Sequence, residues 1–359
     1  MGTRPEAIKL APVVLALADH ASMRVRVMAT GQHRELVADV LRVFGIEPDI
    51  TLDVVTAGQT LSALSARILA AVESELRRCP PAWVVVQGDT TSAVMTALAA
   101  FHNGVSVAHV EAGLRTGRVD APFPEEMNRR LLADLCCLHF APHTRAQRNL
   151  EREGVDTGRI EVVGNTVVDA VHWILPRVDS GKFAPPAGKR LLLVTVHRRE
   201  NLGPPLERVC LALRSLARRD DLHVLLPMHP NPAVASVVRD RLVGVASVQL
   251  IEALPYPDFV AAMAASSLIA TDSGGVQEEA LSVGRPVLVL RDVTERLEGV
   301  EVGAAEIVGT DAGAIEAAVV ARLAAPGLPR LPLPEVSPYG DGQAAGRIVA
   351  RLRAEVGGG

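Results

Sequence analysis

Short runs of Val, Leu and Ile alternate with longer amphipathic stretches along almost the whole chain. Nearly all of the apolar runs are continuous rather than broken by polar residues, and this pattern is typical of strands buried on both faces of a parallel sheet. Strands that alternate with helices predict βαβ units and therefore doubly wound α/β sheets. The predicted strands are residues 24–29, 83–87, 105–110, 138–141, 160–163, 191–195, 223–227, 248–251, 268–271 and 286–290.

The length of 359 residues predicts two domains, because a domain has roughly 100–200 residues. A stretch rich in turn-forming residues, 176–188, lies between the two series of strands. We therefore predict an N-terminal Rossmann-like domain over residues 1–170, joined by a C-terminal helix over residues 340–359. A second Rossmann-like domain that binds the nucleotide is predicted over residues 171–339.

The overall charge and the cysteines argue against two classes of protein, those that bind nucleic acid and those that bind zinc. A net charge of −4 and a pI near 6.2 argue against a nucleic-acid-binding protein. The four cysteines form no C-x-x-C pair, which disfavours a zinc site and suits a reducing compartment. No secretory signal is visible, and the apolar runs are shorter than the ~20 residues of a membrane helix. The sequence therefore predicts a soluble, cytoplasmic, metal-free protein.

Polar loops follow several of the predicted strands. In the first domain they are GDTT at 88–91 and EAGLRTG at 111–117, and in the second domain HRREN at 197–201 and DSGG at 272–275. Ligands of open α/β sheets bind at the carboxyl ends of the strands. We therefore expect both domains to turn these edges toward one shared cleft.

The clearest phosphate-binding signal is Ser273-Gly274-Gly275, which lies between a predicted strand and a predicted helix. Glycines let backbone N–H groups approach an anion closely, and the helix dipole favours negative charge there. Glu279, about one turn into the helix, is placed to accept from ribose hydroxyls. An ordinary tight turn explains these residues equally well. Arg4, at the start of the first helix, has two interpretations as well: it binds phosphate or base, or it pairs with a nearby carboxylate.

Three carboxylates and one histidine are candidates for catalysis. Asp89, Glu111 and Glu125 lie in or just beyond the loops of the first domain, and grouped carboxylates suit acid–base chemistry. Asp89 has an alternative role as a helix N-cap, and Glu125 one as a first-turn acid that interacts with the helix dipole. His197 directly follows a buried strand, although a lone histidine in such a place is more often a packing residue.

Taken together, the motifs resemble one family. The matching segments run in order over nearly the whole chain: GTRPEAIK at 2–9, GDTT at 88–91, HVEAGLRTG at 109–117, PEEMNR at 124–129, GNTVVDA at 164–170, HRREN at 197–201 and DSGGVQEEA at 272–280. They are similar to those of the bacterial non-hydrolysing UDP-N-acetylglucosamine 2-epimerases. The resemblance implies the two-domain GT-B fold, a homodimer, and no cofactor or metal.

The same resemblance implies an activity and roles for individual residues. The reaction would interconvert UDP-N-acetylglucosamine and UDP-N-acetylmannosamine, with UDP eliminated to leave 2-acetamidoglucal and then added back with inversion at C2. By this resemblance Asp89, Glu111 and Glu125 are the acid–base groups. His197 would stabilise the departing diphosphate. The residues that would bind UDP are Arg4, Lys9, Phe259, Ser273, Gly274, Gly275, Glu279 and Arg296. Gln32, His33 and Arg34 resemble part of a site at which some family members bind a second UDP-N-acetylglucosamine as an activator.

One departure from the family concerns the N-terminus. Family members carry a short apolar strand before the GTRPE motif, whereas Met1 here directly precedes Gly2. We therefore expect the first strand to be missing and the neighbouring strand edges to be exposed. Three other functions compete with the epimerase: a hydrolysing epimerase that releases N-acetylmannosamine and UDP, a GT-B glycosyltransferase, and an inactive nucleotide-sugar-binding protein.

Overall fold

A computed structural model describes residues 1–56, 58–198, 201–324 and 337–357. The chain divides into two compact units. Unit 1 comprises Met1–Ala170 and Tyr339–Gly359, and unit 2 comprises Val171–Pro338.

Unit 2 contains one parallel sheet of six strands. The strands are β7 (Arg190–Thr195), β8 (Leu222–Pro227), β9 (Val248–Ile251), β10 (Leu268–Thr271), β11 (Val287–Val289) and β12 (Ala305–Ile307). The helices are α8 (Pro204–Leu216), α9 (Pro232–Leu242), α10 (Tyr256–Ala265), α11 (Gly274–Ser282), α12 (Leu297–Glu301) and α13 (Ala312–Ala324). Counted from β7 as the first, the strands lie in the order 3-2-1-4-5-6 of the Rossmann fold. In that order the chain changes direction between β7 and β10, so the loops after these two strands border the usual ligand crevice.

Unit 1 contains two parallel sheets. The strands are β1 (Met28–Ala29), β2 (Ile50–Thr51), β3 (Trp83–Gln87), β4 (Ser106–Val110), β5 (Leu138–Ala141) and β6 (Ile160–Val162). The helices are α1 (Arg4–Ala18), α2 (Arg34–Val43), α3 (Leu61–Arg78), α4 (Thr91–His102), α5 (Glu125–Leu135), α6 (Thr144–Arg152), α7 (Thr166–Ile174, which ends in unit 2) and α14 (Ala344–Gly357). One sheet pairs β1 with β2, and the other has the order β3-β4-β5-β6.

The residues at the N-terminus lie beside β1. The amino group of Met1 donates to the carbonyl oxygen of Met28 (2.8 Å), and the Thr30 amide donates to the Met1 carbonyl oxygen (2.8 Å). Strand β3 pairs with β4, and in the described residues no strand pairs with its other edge. Trp83 and Val85 of β3 are half-buried, whereas the four residues of β5 are all buried.

Helix α14 packs on α1 and on the four-stranded sheet of unit 1 through buried Ile348 and Leu352. The Asp169 carboxylate holds the start of this helix, because it accepts from the Ala345 amide (2.9 Å) and the Ala344 amide (3.3 Å). Burial raises the pKa of Asp169 to about 6, although these two N–H groups act in the opposite direction. The carboxylate that holds the helix start is therefore easier to protonate than an exposed aspartate.

We expect this carboxylate to make the protein less stable as the pH rises from about 4 to 6. Between the ordinary pKa of 3.8 and the folded-state value of about 6, the folded chain holds a proton that the unfolded chain has released. The stabilisation present below pH 4 is therefore lost as the pH passes through 6, by about 1–3 kcal/mol. Asp169→Asn cannot ionise, so its free energy of unfolding, measured by chemical denaturation, should lack this decline.

Asp341→Asn is the matched control. Asp341 lies just before the same helix, but its pairing with Arg347 lowers its pKa to about 2. Because Asp341 itself stays ionised in the folded chain above pH 4, the Asp341→Asn variant should keep most of the decline in the free energy of unfolding that Asp169→Asn removes. Parallel curves for the wild type and Asp169→Asn over that range would contradict the assignment.

The α/β class with parallel sheets is confirmed, but three details of the strand prediction were wrong. The predicted strand 24–29 is reduced to Met28–Ala29. Strands β2 and β12 were not predicted, because Ile50–Thr51 is only two residues long and Ala305–Ile307 only three. Of the helices in the described ranges, none is long and apolar enough to span a membrane.

Candidate active site

The carboxylate of Glu111 is held by three donors at the carboxyl end of β4. Lys9 and Gln87 both donate to it, and Asn165 Nδ2 lies 3.1 Å from its Oε1. The side chains of Lys9 and Glu111 are both almost completely buried. The backbone of Glu111 has φ +65°, in the left-handed region that non-glycine residues rarely adopt. Such strain persists only where the surroundings fix the residue, and it concentrates at functional sites.

Asp89 reaches the same edge of the sheet from the end of β3. Its Oδ2 accepts from Arg129 Nε (2.8 Å) and Nη2 (2.7 Å), and its carbonyl oxygen accepts from Asn128 Nδ2 (2.7 Å). The N-cap of α4 is Thr90, whose hydroxyl accepts from the Ala93 amide. The capping alternative for Asp89 was therefore wrong. Its carboxylate is instead held by α5.

The loops that carry Asp89 and Glu111 lie against each other. Glu111 Oε2 would be 3.8 Å from a Cβ atom added at Gly88. The ring of His109 on β4 is hydrogen-bonded through Nε2 to the Gly88 carbonyl oxygen (2.7 Å). Burial lowers the pKa of His109 to about 4, so the ring is neutral at pH 7 and adds no charge beside the two carboxylates.

Glu126 ties the loop after β4 to helix α5. Its carboxylate, completely buried, accepts from the amides of Thr116 (3.0 Å) and Gly117 (3.2 Å) and from Arg129 Nη1 (3.1 Å). Arg129 thus bridges Glu126 and Asp89. This arrangement places the first turn of α5, which begins at Glu125, beside the loop of Asp89.

Glu125 differs from the other two candidate carboxylates. Its side chain is half-buried, and it makes no hydrogen bond or ion pair with any described residue. Within the described ranges it therefore has no cationic partner, whereas Asp89 has Arg129 and Glu111 has Lys9.

Arg4, which was predicted to bind phosphate or base, is exposed. Arg4 is the first residue of α1, and none of the described residues forms an ion pair with it. The helix start is instead stabilised by Glu6, whose carboxylate accepts from the amides of Gly2 and Thr3. Pairing of Arg4 with a carboxylate, the structural alternative, is therefore not seen here.

The three residues predicted for a second substrate molecule lie between β1 and the body of α2. Gln32 accepts from the Ser92 hydroxyl (2.8 Å), the His33 amide donates to the Gly2 carbonyl oxygen (2.9 Å), and Arg34 is exposed as the first residue of α2. Through Ser92 and Gly2 these residues contact the start of α4 and the chain just before α1.

In unit 2, His197 and Asp272 lie at the point where the strand order reverses. They follow β7 and β10, and Thr195 of β7 is in register with Thr271 of β10. His197 Nδ1 lies 3.0 Å from Asp272 Oδ1. The ring of His197 also stacks on that of His229, with centroids 5.7 Å apart and an interplanar angle of 24°.

The start of α11 is surrounded by charge. Ser273 is its N-cap, and an added Cβ at Gly274 would lie 2.9 Å from Glu295 Oε1 and 3.7 Å from both Arg198 Nη2 and Arg296 Cζ. The same construction at Gly275 meets nothing within 4 Å. The start of α11 thus lies close to two arginines, which suit an anion, and to the carboxylate of Glu295.

Glu295 lies among these arginines and was not among the predicted site residues. Burial raises its pKa, but the charges of Arg296, Arg291 and Arg198 outweigh burial and lower the pKa to about 2. Arg296 also donates to Glu278 (2.7 Å). The arginine predicted to bind UDP is therefore ion-paired, and an incoming anion would share it with these carboxylates.

Two further predicted residues lie on the helices next to this region. Glu279 is buried in α11, about a turn and a half from its start, and Phe259 is half-buried in α10. In the ranges that the structure describes, no cluster of three His, Cys, Asp or Glu residues is arranged to hold a metal ion.

Comparison with known proteins identifies the family. The model of the family described as UDP-N-acetylglucosamine 2-epimerase matches residues 15–353. The chain belongs to this family. It is 44% identical to the UDP-N-acetylglucosamine 2-epimerase of Yersinia pestis, over 98% of this chain and 96% of that protein. The crystal structure of the Neisseria meningitidis UDP-GlcNAc 2-epimerase, bound to UDP-GlcNAc, superposes with a TM-score of 0.91 at 38% identity, over 98% of both chains.

A more distant likeness concerns the fold alone. The glycosyltransferase SnogD from Streptomyces nogalater is 19% identical and gives a TM-score of 0.58, over 97% of this chain and 95% of that one. It supports the GT-B-like fold that the motifs predicted for this epimerase-family chain.

Proposed function

We propose that this chain interconverts UDP-N-acetylglucosamine and UDP-N-acetylmannosamine, with the sugar linked to UDP in substrate and product alike. The observation that carries the proposal is the meeting of Asp89 and Glu111 at one sheet edge of unit 1, beside the helix that begins with Glu125. Family membership supplies the substrate, because a relative of similar length is named for this activity and another is bound to UDP-GlcNAc.

The chemistry requires two events to occur together. A carboxylate removes the C2 proton, the C–H electron pair forms the C1–C2 double bond, and the C1–O bond breaks with its electrons leaving on UDP. The C2 proton becomes acidic only as the C1–O bond weakens, so a base and a group that stabilises the leaving diphosphate must act at once. The product of this step is 2-acetamidoglucal plus UDP.

Re-addition reverses the step with inversion at C2. A UDP oxygen bonds to C1, and a proton is delivered to C2 from the face opposite to the one it left. Removal on one face and delivery on the other require two proton carriers, which three carboxylates can supply. Asp89 and Glu111 are held by cations, whereas Glu125 has no partner among the described residues.

The UDP moiety is assigned to the groups of unit 2 and the N-terminus. Ser273, Gly274 and Gly275 offer the N–H groups of a helix start, where an anion gains ~0.3–1 kcal/mol when exposed and up to ~2 kcal/mol when partly buried. Because that gain cannot hold a diphosphate alone, His197 and the arginines must contribute. The proposed ligands of UDP are Arg4, Lys9, Phe259, Ser273, Gly274, Gly275, Glu279 and Arg296.

The products of a simple incubation decide among the candidate functions. The purified chain is incubated with UDP-N-acetylglucosamine, and the products are separated by anion exchange. We expect a mixture of the two UDP-sugars without free UDP. Free N-acetylmannosamine with UDP would instead identify a hydrolysing epimerase. Reaction only when an acceptor is added would identify a glycosyltransferase, and UDP binding without any product an inactive binder.

The assembly, the location and the activation carry over from the family as further proposals. We propose a homodimer in the cytoplasm, and sedimentation at micromolar concentration tests the dimer. We propose activation by a second UDP-N-acetylglucosamine at Gln32, His33 and Arg34. A strictly hyperbolic dependence of the rate on substrate concentration, without stimulation at low substrate, would contradict activation.

A further inference from the structure

We propose that Asp272 is a positioning residue for His197: it holds the imidazole so that Nδ1–H faces the carboxylate and Nε2 faces the substrate. The proposal rests on the function proposed above, in which His197 stabilises the leaving diphosphate. Asp272 was not among the site residues that the sequence predicted. The fold places its carboxylate within hydrogen-bonding distance of the His197 ring.

The described groups around Asp272 act as hydrogen-bond donors to its carboxylate. Its carboxylate is completely buried and accepts from the amides of His197 (3.0 and 3.1 Å) and Arg198 (2.9 Å) and from Asn201 Nδ2 (2.9 Å). Burial raises the pKa of Asp272, but the hydrogen bond and charge of His197 and the backbone N–H groups outweigh it and lower the pKa. Each of these described groups therefore donates to an ionised carboxylate.

The distance from His197 Nδ1 to Asp272 Oδ1, 3.0 Å, then assigns the proton on the ring. An ionised carboxylate cannot donate, so Nδ1 must carry the hydrogen, and in the neutral ring Nε2 is left with its lone pair. A second proton on Nε2 gives an imidazolium whose charge Asp272 balances and whose Nε2–H can donate to a phosphate oxygen. Carboxylates oriented behind a histidine in this way set its tautomer and its direction in other enzyme sites.

His197 and Asp272 both lie at the carboxyl edge of the sheet of unit 2, where a ligand is expected. His197 follows β7 and Asp272 follows β10, the adjacent strands between which the chain order reverses. Ligands of such sheets bind in the crevice at this point. The next residue after Asp272 is Ser273, the N-cap of α11. In the described part of the chain, the titratable groups in contact with the ring include Asp272 and the stacked His229.

The first test reads the tautomer directly and does not depend on activity. Long-range proton–nitrogen NMR of ¹⁵N-histidine protein, recorded at alkaline pH, distinguishes a protonated from an unprotonated ring nitrogen. The His197 signal is assigned by its loss in His197→Ala. We expect a protonated Nδ1 in the wild type and a shift toward protonated Nε2 in Asp272→Asn. An unprotonated Nδ1 in the wild type, or no change in the variant, would overturn the proposal.

The second test separates positioning from a merely structural role. Asp272→Asn should lower kcat about tenfold to a hundredfold, as loss of such an orienting partner does, with little change in KM. In a His197→Ala background the same substitution should lower kcat no further, because its effect runs through the ring. A further loss of tenfold or more in that background would show that Asp272 acts mainly on the fold.

Asn201→Ala is the matched control, because it removes one donor to the same carboxylate and leaves the Asp272–His197 contact in place. We expect a lower Tm but an unchanged tautomer. If Asn201→Ala alters the tautomer as strongly as Asp272→Asn, the whole segment sets the ring and the proposal fails. If the wild type has a protonated Nδ1 but forms no epimer, the proposed function fails while the orientation stands.

Discussion

Glu111→Gln is expected to slow the exchange of the C2 proton by about 10²–10⁴-fold, the usual contribution of a positioned acid–base group. Three donors converge on this carboxylate from Lys9, Gln87 and Asn165. A glutamine would turn an NH₂ group toward at least one of these donors and would remove the negative charge from the buried ion pair with Lys9. The change thus removes both the proton carrier and the charge balance of the site.

The measurement is the rate of deuterium incorporation from heavy water into UDP-N-acetylglucosamine, followed for wild type and variant. Circular dichroism establishes whether the variant is folded, because removal of one member of a buried ion pair is destabilising. Glu153→Gln is the matched control: Glu153 pairs with Arg115 in the same unit, at the C-terminal end of α6. We expect the control to retain the wild-type rate within about twofold. A folded Glu111→Gln variant within threefold of the wild type would remove Glu111 from the acid–base groups.

Gly113→Ala is expected to destabilise the protein by about 3–5 kcal/mol, from left-handed backbone strain and overpacking together. Gly113 lies in the loop after β4 with φ +87°. An added Cβ would come within 2.3 Å of the Ala146 carbonyl oxygen and 3.0 Å of Leu150 Cγ, both on α6. The nearest obstacle is backbone, so relief requires a shift of α6 or of the loop that begins with Glu111.

Gly117→Ala separates the steric clash from the backbone strain. Gly117 lies in the same loop with φ +79°, but an added Cβ there meets nothing within 4 Å. We expect a loss of only about 1–2 kcal/mol from the strain of a left-handed non-glycine residue. Chemical denaturation of both variants measures the difference. Equal losses would show that the contact with α6 does not restrain this loop.

The periodicity of the sequence predicted the helix–strand order better than the pairing of the strands. The predicted strands at 83–87, 138–141, 248–251 and 268–271 match β3, β5, β9 and β10, and the apolar runs of β5 and β10 are buried at every position. Burial on both faces determines such runs locally. The strand order of unit 2 was not predicted, because β7 and β10 become neighbours only through tertiary packing.

The partners of the site residues were also not predicted, because they too are brought together only by tertiary packing. The loops of Asp89, Glu111 and His197 were visible as polar residues after apolar strands. Their partners lie far away along the chain, as Arg129 does from Asp89 and Asp272 from His197. One local signal was available: Asp272 itself directly follows an apolar strand, as His197 does. Lys9 was predicted to bind UDP, whereas the structure pairs it with Glu111, and its role toward UDP stays a prediction.

The most direct test of the proposed reaction is proton NMR of UDP-N-acetylglucosamine incubated with the protein in heavy water. The mechanism breaks the C2–H bond in every turnover that inverts C2. It therefore predicts that UDP-N-acetylmannosamine appears with deuterium at C2 and with its nucleotide still attached. Formation of UDP-N-acetylmannosamine that retains the original C2 proton would contradict proton removal by a carboxylate. Absence of both exchange and product would contradict the epimerase itself.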